Sequence, residues 1–471
     1  MIALSVAEIA AIVAGEVVGV DPQSVVTGKV EFDSRRVHPG DLFLAIVGEH
    51  ADGHRFAADA LAAGAVAVMS TREIETGSIV VADPIAAITA LARAVARRLS
   101  ATIVAVTGSS GKTSTKDLLA QILSRKGSTV APPGSFNNEL GHPYTVLLAD
   151  ESTEFLILEA SARGIGHIAH LVQIAPPRIG AVLNVGSAHL GEFGSVAAIA
   201  QAKGELVEGL PSAIDGGVAV LNADDPTVMA MAARTAARVV TAGESSAADV
   251  RAAQIELDEG GRARFTLVAP SGSAQVELRV VGEHQVSNAV IAAAVALECG
   301  LGVGEVAAGL SQAVARSSWR MEVTELGDGI TLVNDAYNAN PESMRAALKS
   351  LAIMSRGRRS IAVLGHMAEL GRDSTAEHDA LGRLAVRYDI SQVIAVGEPA
   401  RPIAHGAALE GSWNGESEWV DDVAAAIERV TQLIEPGDVV LVKGSRSAGM
   451  ERVAQALIEQ HEGTAQAVPG V

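Results

Sequence analysis

The chain contains 471 residues, of which 48% are hydrophobic and 3% aromatic, and it carries a formal charge of −19. Such an acidic surface repels phosphate backbones and anionic lipids, so the charge disfavours nucleic-acid or membrane binding as a main function. The single Cys299 excludes a disulfide framework and a cysteine-rich metal site. The length predicts two to four domains. Without a basic leader or an apolar run of about 20 residues, we expect a cytoplasmic protein.

Three regions follow one another along the chain. Residues 1–83 mix short strands and helices, and Pro84 then opens an alanine-rich helix. Over residues 84–314, strands alternate with helices, which predicts a parallel, doubly wound sheet. An antiparallel addition is expected between about residues 250 and 281, where apolar and polar residues alternate. Residues 315–471 show a second α/β alternation, with strands expected at residues 331–334, 361–364, 393–396 and 439–442.

A glycine-rich turn, Thr-Gly-Ser-Ser-Gly-Lys-Thr at residues 107–113, follows a predicted strand and opens a predicted helix. Glycines let the backbone N–H groups turn inward, and a helix N-terminus favours anions. Lys112 is therefore expected to reach the β- and γ-phosphates of a nucleotide, and the Thr113 hydroxyl to bind Mg²⁺. Val106 stands where the standard loop has its first glycine, so this loop is a shortened variant. The turn predicts an ATP site.

Two further candidates lie where an open sheet places its ligands, at the carboxyl ends of strands. Glu159 ends one predicted strand, and His189 follows the strand expected at residues 179–185. Taken alone, His189 is more often a plain loop histidine, and Glu159 is a carboxylate at the start of a helix. Lys203 taken alone is typical of a surface lysine.

Several motifs follow one another in a specific order between about residues 33 and 446. They are the phosphate loop, Ser135-Phe136-Asn137-Asn138, Glu159, His189, Lys203, His284 with Asn288, Arg320 in Trp-Arg-Met-Glu, the run from Asn334 to Pro341, and Lys443-Gly444-Ser445-Arg446. With these motifs the chain resembles the Mur ligase family over nearly its whole length. The run from Asn334 to Pro341 resembles a signature that separates the D-alanyl-D-alanine ligases of that family from their sister enzymes.

The resemblance implies three α/β domains. These are an N-terminal UDP-sugar-binding domain (residues 1–83), a central P-loop-type parallel-sheet ATPase domain (residues 84–314) and a C-terminal Rossmann-like domain (residues 315–471). It also implies an ATP-dependent amide-bond ligase of peptidoglycan precursor synthesis. Such a ligase joins D-alanyl-D-alanine to UDP-N-acetylmuramoyl-tripeptide through an acyl phosphate. We expect a monomer that uses ATP and two Mg²⁺ ions.

The resemblance also assigns roles to individual residues. The ATP-binding set is Thr107, Gly108, Ser109, Ser110, Gly111, Lys112, Thr113, Ser114, Asn288, Arg320, Asp335, Asn338 and Asn340. The metal-binding set is Thr113, Glu159, His189 and Lys203, with Lys203 as a carbamate. The substrate-binding set is Ser34, Arg35, Gly48, Asp52, His54, Asn137, Asn138, Ser161, Lys443, Ser445 and Arg446. Catalysis is expected from Lys112, Lys203, His189, Glu159 and Asn138.

Two positions depart from the family pattern, because His167 and His366 stand where an acidic residue is usual. Three alternative functions remain. A sister Mur ligase would add the third amino acid to the UDP-N-acetylmuramoyl-dipeptide, and a folylpolyglutamate-type ligase would use the same chemistry without a UDP-sugar domain. A P-loop switch or motor would need a full loop, which Val106 interrupts.

Overall fold

The computed structural model describes residues 1–48, 51–74, 77–188, 190–410 and 416–465. Within these ranges the chain forms sheets of five, nine and six strands and one separate strand pair. No helix in the described part of the chain is both long and apolar enough to cross a membrane.

The first unit (residues 1–83) contains the five-stranded sheet. The strands of the whole unit are β1 (Leu4–Ser5), β2 (Glu16–Val18), β3 (Val25–Val26), β4 (Val30–Glu31), β5 (Leu42–Leu44), β6 (Ala67–Ser70) and β7 (Ser78–Val80). Its helices are α1 (Val6–Val13) and α2 (Ala57–Ala62). The sheet has the order β2-β7-β6-β5-β4, and β1 pairs with β3 beside it. Two 3₁₀ turns, Ser34–Arg36 and Gly53–Phe56, are capped by the carboxylates of Asp33 and Asp52.

Helix α3 (Pro84–Ala96) joins the first unit to the rest of the chain. Pro84 occupies the first turn, where a missing N–H costs nothing, and the Asp83 carboxylate accepts the N–H groups of Ile85 and Ala86. The buried face of α3 belongs to one hydrophobic cluster that runs from the first unit into the next, for example through Ile9, Ile88 and Leu158. The two units therefore share a continuous core.

The central unit (residues 84–312) contains the nine-stranded sheet. Its strands are β8 (Thr102–Thr107), β9 (Thr129–Val130), β10 (Phe155–Glu159), β11 (Ile179–Val182), β12 (Val218–Asn222), β13 (Arg238–Gly243), β14 (Val250–Leu257), β15 (Arg262–Ala269) and β16 (Gly272–Val281). After α3, its helices are α4 (Lys112–Leu123), α5 (Gly141–Val146), α6 (His167–Ile174), α7 (Leu190–Phe193), α8 (Val196–Glu208), α9 (Pro226–Met229), α10 (His284–Glu298) and α11 (Val303–Gln312).

The order of this sheet is β16-β15-β14-β13-β12-β11-β8-β10-β9. Along this order, every neighbouring pair from β9 through β8 to β14 is parallel. Strands β14, β15 and β16 pair antiparallel, which confirms the antiparallel addition predicted from the alternation. Strand β8 lies between β10 and β11, so the turn after it opens where the strand order reverses. Parallel sheets bind ligands at such a switch point.

The C-terminal unit (residues 322–465) contains the six-stranded sheet. Its strands are β17 (Glu322–Glu325), β18 (Thr331–Asp335), β19 (Ser360–Leu364), β20 (Gln392–Val396), β21 (Ser417–Val420) and β22 (Val439–Lys443), and its helices are α12 (Pro341–Met354), α13 (Ser374–Arg387), α14 (Arg401–Leu409), α15 (Val423–Leu433) and α16 (Glu451–Ala465). The order is β17-β18-β22-β19-β20-β21, and only β17 is antiparallel among these strands. The four expected strands are confirmed, whereas β17, β21 and α14 were not predicted.

Residues 313–321, here termed the linker, connect the central and C-terminal units. The side-chain amide of Gln121 bonds both the N–H and the carbonyl of Val314, and the Asp117 carboxylate accepts the Ser317 N–H at 3.0 Å. Trp319 and Met321 have left-handed backbones, with φ of 61° and 49°. Such conformations are unfavourable for residues with a side chain and persist only where surrounding contacts hold them.

Candidate active site

A cleft of about 1030 Å³ opens between the central and C-terminal units at the end of β8. Its lining includes residues 109–114 of the phosphate loop, Asn288 from α10, and Arg320 from the linker. The C-terminal unit contributes Asp335, Asn338, Asn340, Lys443, Ser445 and Arg446 to the opposite wall. Most residues that the sequence assigned to ATP therefore meet in one place.

The phosphate loop is held in shape by its neighbours. Gly111 has a left-handed backbone (φ 80°) directly before α4, and a Cβ there would collide with the Asn288 side chain. The side-chain oxygen of Asn184 accepts the N–H groups of Ser109 and Ser110 at 2.9 and 3.0 Å. The glycine and these bonds together fix the backbone of the turn.

Lys112 lies at the first position of α4, with its amine folded back onto the Gly108 carbonyl at 2.6 Å. Burial lowers the pKa of Lys112 to about 8, Glu159 opposes this change, and Arg320 adds to it. A bound polyphosphate would supply the negative charge that this buried amine lacks. The geometry suits the phosphate-binding role expected from the sequence.

Glu159 ends β10 with only 1% of its surface exposed. Its Oε2 accepts bonds from the Thr113 hydroxyl at 3.4 Å, the Ser135 hydroxyl at 3.4 Å and the Asn137 amide at 3.3 Å. Within the described residues, its Oε1 is buried without a hydrogen-bond partner. Mg²⁺ prefers hard oxygen ligands such as carboxylates and hydroxyls. The unpartnered oxygen beside Thr113 therefore fits a magnesium ion.

Lys203 lies within α8 and is 5% exposed. Burial, and secondarily the charge of Lys112, holds the pKa of Lys203 well below its ordinary value. Its amine is therefore favoured in the neutral form, which is nucleophilic. His189, the remaining residue predicted to bind metal, lies outside the described residues. No cluster of three or more His, Cys, Asp or Glu side chains in the described ranges forms a metal site by itself.

Arg320 reaches across from the linker to the phosphate loop. Its Nη2 donates to the Thr113 hydroxyl at 3.2 Å, and its guanidinium lies 4.0 Å from the centre of the Tyr337 ring. Among the described residues, its Nε is buried without a partner. A guanidinium with a free buried N–H at this position is suited to a phosphate oxygen.

Several predicted ligands on the C-terminal wall already bond within their own unit. The Lys443 amine donates to the Asp335 carboxylate at 2.6 Å and to the Asn338 carbonyl at 2.8 Å. Burial lowers the pKa of Lys443, and Asp335 opposes that change. The other Asp335 oxygen accepts the Met321 N–H at 3.1 Å, and the Asn340 side chain caps α12 through the Ser343 N–H. These groups line the cleft and also fix the linker and α12.

The predicted substrate residues of the central and C-terminal units also contact neighbouring groups of the protein. The Asn138 side-chain oxygen accepts the Gly141 N–H at 2.8 Å, and the Ser161 N–H donates to the Asn137 carbonyl at 3.4 Å. On the opposite wall, the Ser445 hydroxyl accepts the Ala368 N–H, and the Arg446 guanidinium lies 4.3 Å from the centre of the Trp319 ring.

The five substrate residues predicted in the first unit do not line this cleft. The His54 ring donates from Nδ1 to Asp52 at 2.6 Å, because its Nε2 accepts the Thr71 N–H. That bond is the main cause that lowers the pKa of Asp52 to about 2. Arg35 pairs with Asp33 on the surface, and the Gly48 N–H bonds the Ala51 carbonyl. Ser34 begins the 3₁₀ turn beside them.

Comparison with known proteins assigns the family. The model "Mur ligase family, catalytic domain" matches residues 28–105, "Mur ligase middle domain" matches residues 106–296, and "Mur ligase, glutamate ligase domain" matches residues 319–446. The chain belongs to the Mur ligase family. It is 52% identical to the UDP-N-acetylmuramoyl-tripeptide–D-alanyl-D-alanine ligase of Mycobacterium bovis, over 97% of this chain and 98% of that protein. The Escherichia coli protein of the same name is 37% identical over 98% of this chain and 99% of its own length.

Solved structures give the same picture for this Mur ligase. MurF from Acinetobacter baumannii superposes with a TM-score of 0.84 at 32% identity, covering 97% of this chain and 99% of that one. MurF from Thermotoga maritima in complex with ADP has a TM-score of 0.77 at 30% identity, covering 93% and 99%. A UDP-N-acetylmuramoyl-L-alanyl-D-glutamate–2,6-diaminopimelate ligase shares the fold, with a TM-score of 0.53 at 21% identity.

An aromatic cluster joins the first unit of the Mur ligase to the loop that carries Asn137 and Asn138. The ring of Phe32 lies 6.2 Å from that of Phe136 and 5.3 Å from that of Tyr144, and the last two rings are 5.4 Å apart. Edge-to-face aromatic pairs of this spacing stabilise contacts beyond simple burial. The first unit is thus fixed to the loop whose Asn137 and Asn138 line the cleft.

Three residues that matter for the geometry were not predicted from the sequence. Asn184 buttresses the phosphate loop. Glu205, two residues after Lys203, accepts the N–H groups of Gly166 and Ala169 and so ties α8 to the start of α6. Glu342 bonds Ser187 across the cleft. The sequence signal was weak in each case, because carboxylates near helix starts and asparagines after strands are common. Glu205 carried no usable sign in the sequence, because its burial and its distant partners appear only in the fold.

Proposed function

We propose that this Mur ligase joins D-alanyl-D-alanine to UDP-N-acetylmuramoyl-tripeptide at the expense of ATP, in cytoplasmic peptidoglycan precursor synthesis. The observation that carries the proposal is the convergence of Lys112 from the central unit, Arg320 from the linker and Asp335 from the C-terminal unit on one cleft. The chain also matches ligases of that name over 97% of its length. The alternative, addition of the third amino acid, has only a likeness of fold behind it.

The first chemical step is phosphorylation of the terminal carboxylate of the tripeptide. A carboxylate reacts poorly with an amine because oxide is a poor leaving group, and the γ-phosphoryl group of ATP converts that oxygen into phosphate. The loop N–H groups would hold the phosphates, while Lys112 and Arg320 would neutralise the charge that develops on the phosphoryl oxygens. The fold supports this step because both cations line the same cleft.

We propose magnesium for this site on the chemistry of its oxygen donors. Thr113, Glu159, His189 and a carbamate on Lys203 would hold two Mg²⁺ ions, which would supply further charge neutralisation at the phosphates. The carbamate would form when the neutral Lys203 amine attacks CO₂ and releases a proton. The buried position of Lys203 supports this, because an anion bound to metal is more stable there than an isolated ammonium ion.

The second step is attack of the D-alanyl-D-alanine amine on the acyl phosphate, after which inorganic phosphate leaves and the amide bond is formed. Asn137, Asn138 and Ser161 are proposed to bind the reacting end of the tripeptide, and Lys443, Ser445 and Arg446 the incoming dipeptide side. Closure of the cleft would exclude water, which would otherwise hydrolyse the acyl phosphate.

The domain assignment is part of the same proposal. Residues 1–83 would hold the UDP-sugar with Ser34, Arg35, Gly48, Asp52 and His54. Residues 84–314 would bind ATP, and residues 315–471 would bring Arg320, Asp335, Asn338 and Asn340 to the nucleotide. The aromatic cluster supports this arrangement because it fixes the first unit next to the loop of Asn137. We propose a monomer, which sedimentation at micromolar concentration would test.

The deciding measurement is phosphate release from ATP and Mg²⁺ in the presence of UDP-N-acetylmuramoyl-tripeptide, with and without D-alanyl-D-alanine. We expect release only when both are present, together with a product heavier than the precursor by the dipeptide minus water. The matched control offers UDP-N-acetylmuramoyl-dipeptide with a single amino acid. Release in that control alone would assign the chain to the sister ligases, and release without any acceptor would overturn the ligase reaction.

A further inference from the structure

One carboxylate of the C-terminal unit, that of Glu342, binds a backbone segment of the central unit. Glu342 is the second residue of α12, and both its oxygens face Ser187 of the central unit. Its Oε1 accepts the Ser187 N–H at 2.9 Å and the Ser187 hydroxyl at 2.9 Å, while its Oε2 is 3.1 Å from the same hydroxyl. Both residues are half-buried at the edge of the cleft.

The segment that Glu342 holds, residues 184–187, also contacts the phosphate loop. Asn184 accepts the N–H groups of Ser109 and Ser110, as described above. The Gly186 N–H donates to the Ser109 hydroxyl at 2.8 Å. Segment 184–187 therefore lies between the loop that binds phosphate and the unit that closes over it.

The Glu342 carboxylate lies so close to Gly186 that a side chain there would require the carboxylate to shift. A Cβ at that position would lie 2.9 Å from the Glu342 carboxyl carbon. A few residues further on, the Gly191 N–H donates to the Glu369 carbonyl at 2.8 Å, which gives the same strip of chain a second backbone contact with the C-terminal unit. The central unit thus contacts the C-terminal unit at two places along this strip.

A plain structural role for Glu342 would be to stabilise the positive N-terminus of α12. That role does not require its oxygens to point at another unit, and Asn340 already caps the helix. A carboxylate that accepts a backbone N–H and a hydroxyl makes charge-assisted bonds, which are stronger than neutral ones.

We propose that Glu342 is a positioning residue that couples closure of the C-terminal unit to the geometry of the phosphate loop through Ser187 and segment 184–187. We take the arrangement in the structure, with the Glu342 carboxylate on Ser187, as the closed one, in which the contact holds the strip behind Ser109 and Ser110 in its phosphate-binding shape. This inference rests on the proposed ligase reaction. It adds to that reaction the contact through which closure affects the phosphate loop.

The test is a double-mutant cycle on the full chain, assayed for ligation with saturating precursor and D-alanyl-D-alanine. Glu342→Ala should lower kcat at least about 10-fold and change KM for ATP less than threefold, because ATP binds the central unit before closure. Ser187→Ala keeps the backbone N–H bond and should lower kcat about threefold. In the Glu342→Ala background, Ser187→Ala should have no further effect, because its acceptor is gone.

Two variants separate positioning from general stability. Glu342→Gln keeps an oxygen acceptor and should recover at least half of the lost kcat. Glu377→Ala is the matched control, since Glu377 lies in the first turn of α13 and pairs with Arg345 inside the C-terminal unit. It should leave kcat within twofold of wild type and make the same loss of helix-start charge.

Small-angle scattering gives a second readout that a merely structural role would not move. An ATP analogue with UDP-N-acetylmuramoyl-tripeptide should decrease the radius of gyration of the wild-type chain and of Glu377→Ala, but not of Glu342→Ala. A wild-type chain that fails to ligate would overturn the proposed function itself. Ligation by wild type together with an unchanged kcat in Glu342→Ala, or losses that multiply in the double variant, would overturn the positioning role alone.

Discussion

Burial gives Lys203 a chemistry that its residue type does not suggest. It lies within α8 with 5% of its surface exposed, next to the charge of Lys112. An ammonium ion is costly in such a place unless it is paired. A neutral amine that took up CO₂ would become an anion, which is the kind of ligand that the proposed second metal ion would require.

Replacement of Lys203 tests this directly. We expect Lys203→Ala to cut turnover at least about 100-fold while ATP binding largely survives, because a ligand used in phosphoryl transfer is lost. Millimolar acetate or propionate should restore part of the rate by taking the place of the carbamate. Turnover and ATP affinity measured side by side give the answer, with the exposed Lys126→Ala as control. Near wild-type turnover in Lys203→Ala would remove the metal assignment.

Burial shifts the pKa of Cys299 upward, whereas it shifts that of Lys203 downward. Cys299 has no assigned role in the reaction. Burial raises the pKa of the Cys299 thiol to about 11. Only the thiolate reacts with alkylating reagents, so the thiol should react far more slowly than a free cysteine at pH 8. The rate should rise with pH up to about 11. Iodoacetamide labelling followed by mass spectrometry checks this, with the unfolded chain as the fast control, and rapid labelling of the folded chain at pH 8 would contradict it.

The sequence predicted single residues well where a motif has a physical requirement. The phosphate loop needs glycine, lysine and a hydroxyl in fixed order, and Glu159 occupies a strand end, so the contact of Glu159 with Thr113 was expected. Lys203 was assigned only through resemblance, because no local pattern reveals that a lysine will be buried. Glu342 and Glu205 were missed because their partners, Ser187 and Gly166, are distant in the chain and their contacts depend on the tertiary fold.

Helix α12 shows how an element combines stability with function. Asn340 and Ser343 form a reciprocal cap, in which the Asn340 side chain accepts the Ser343 N–H at 2.8 Å and the Ser343 hydroxyl accepts the Asn340 N–H at 3.1 Å. Pro341 then takes the first turn, where its missing N–H is harmless. The cap fixes the first turn of the helix and therefore the position of the Glu342 side chain. Sequence reasoning assigned Asn340 to the nucleotide cleft, which it lines, but not to this cap.

Loss of the cap should be measurable. Asn340→Ala is expected to lower the free energy of unfolding of the C-terminal unit by about 1 kcal/mol, the usual value for an N-cap deletion. Asn340→Asp keeps the acceptor and should stay within a few tenths of a kcal/mol of wild type. Urea unfolding followed by the fluorescence of Trp319 and Trp419, both in or next to this unit, gives the comparison. Equal stability of Asn340→Ala and wild type would argue against the cap.

Elements were predicted best where periodicity was long and clear. The alternation after residue 250 gave the antiparallel strands, and the apolar runs at residues 361–364 and 439–442 gave the core strands β19 and β22. The edge strands β17 and β21 were missed because neither has a fully buried residue, so their composition resembles that of loops. Strand order could not be read from the sequence, since it depends on which helices cross which face.

The three units are not equally independent. The first and central units share one hydrophobic core, which includes Ile9, Ile88 and Leu158. The C-terminal unit has two clusters of its own, and of the central unit only Val281 belongs to either of them among the described residues. It meets the central unit mainly through polar contacts, such as those of Glu342 and Arg320. Apolar continuity makes units unfold together, whereas polar interfaces let them separate.

Calorimetry should therefore resolve two transitions rather than one or three. We expect the C-terminal unit to unfold in one transition and the joined first and central units in the other. An ATP analogue with Mg²⁺, which would contact both, should raise both midpoints and bring them closer. Adenine nucleotide without Mg²⁺ serves as the weaker-binding comparison. A single transition whose calorimetric and van't Hoff enthalpies agree would contradict the separation.

Arg320 is attached to the linker itself, and this has a consequence for turnover. The described chain passes once from the central to the C-terminal unit, and the two neighbours of Arg320 have the left-handed backbone angles noted above. If the C-terminal unit rotates about Trp319 and Met321, we expect the guanidinium to leave Thr113 as the cleft opens. The departure of spent nucleotide and the withdrawal of the arginine become one event. A small molecule wedged beside Trp319 and Met321 would trap ADP inside, and would stop the enzyme without competing with any of its substrates.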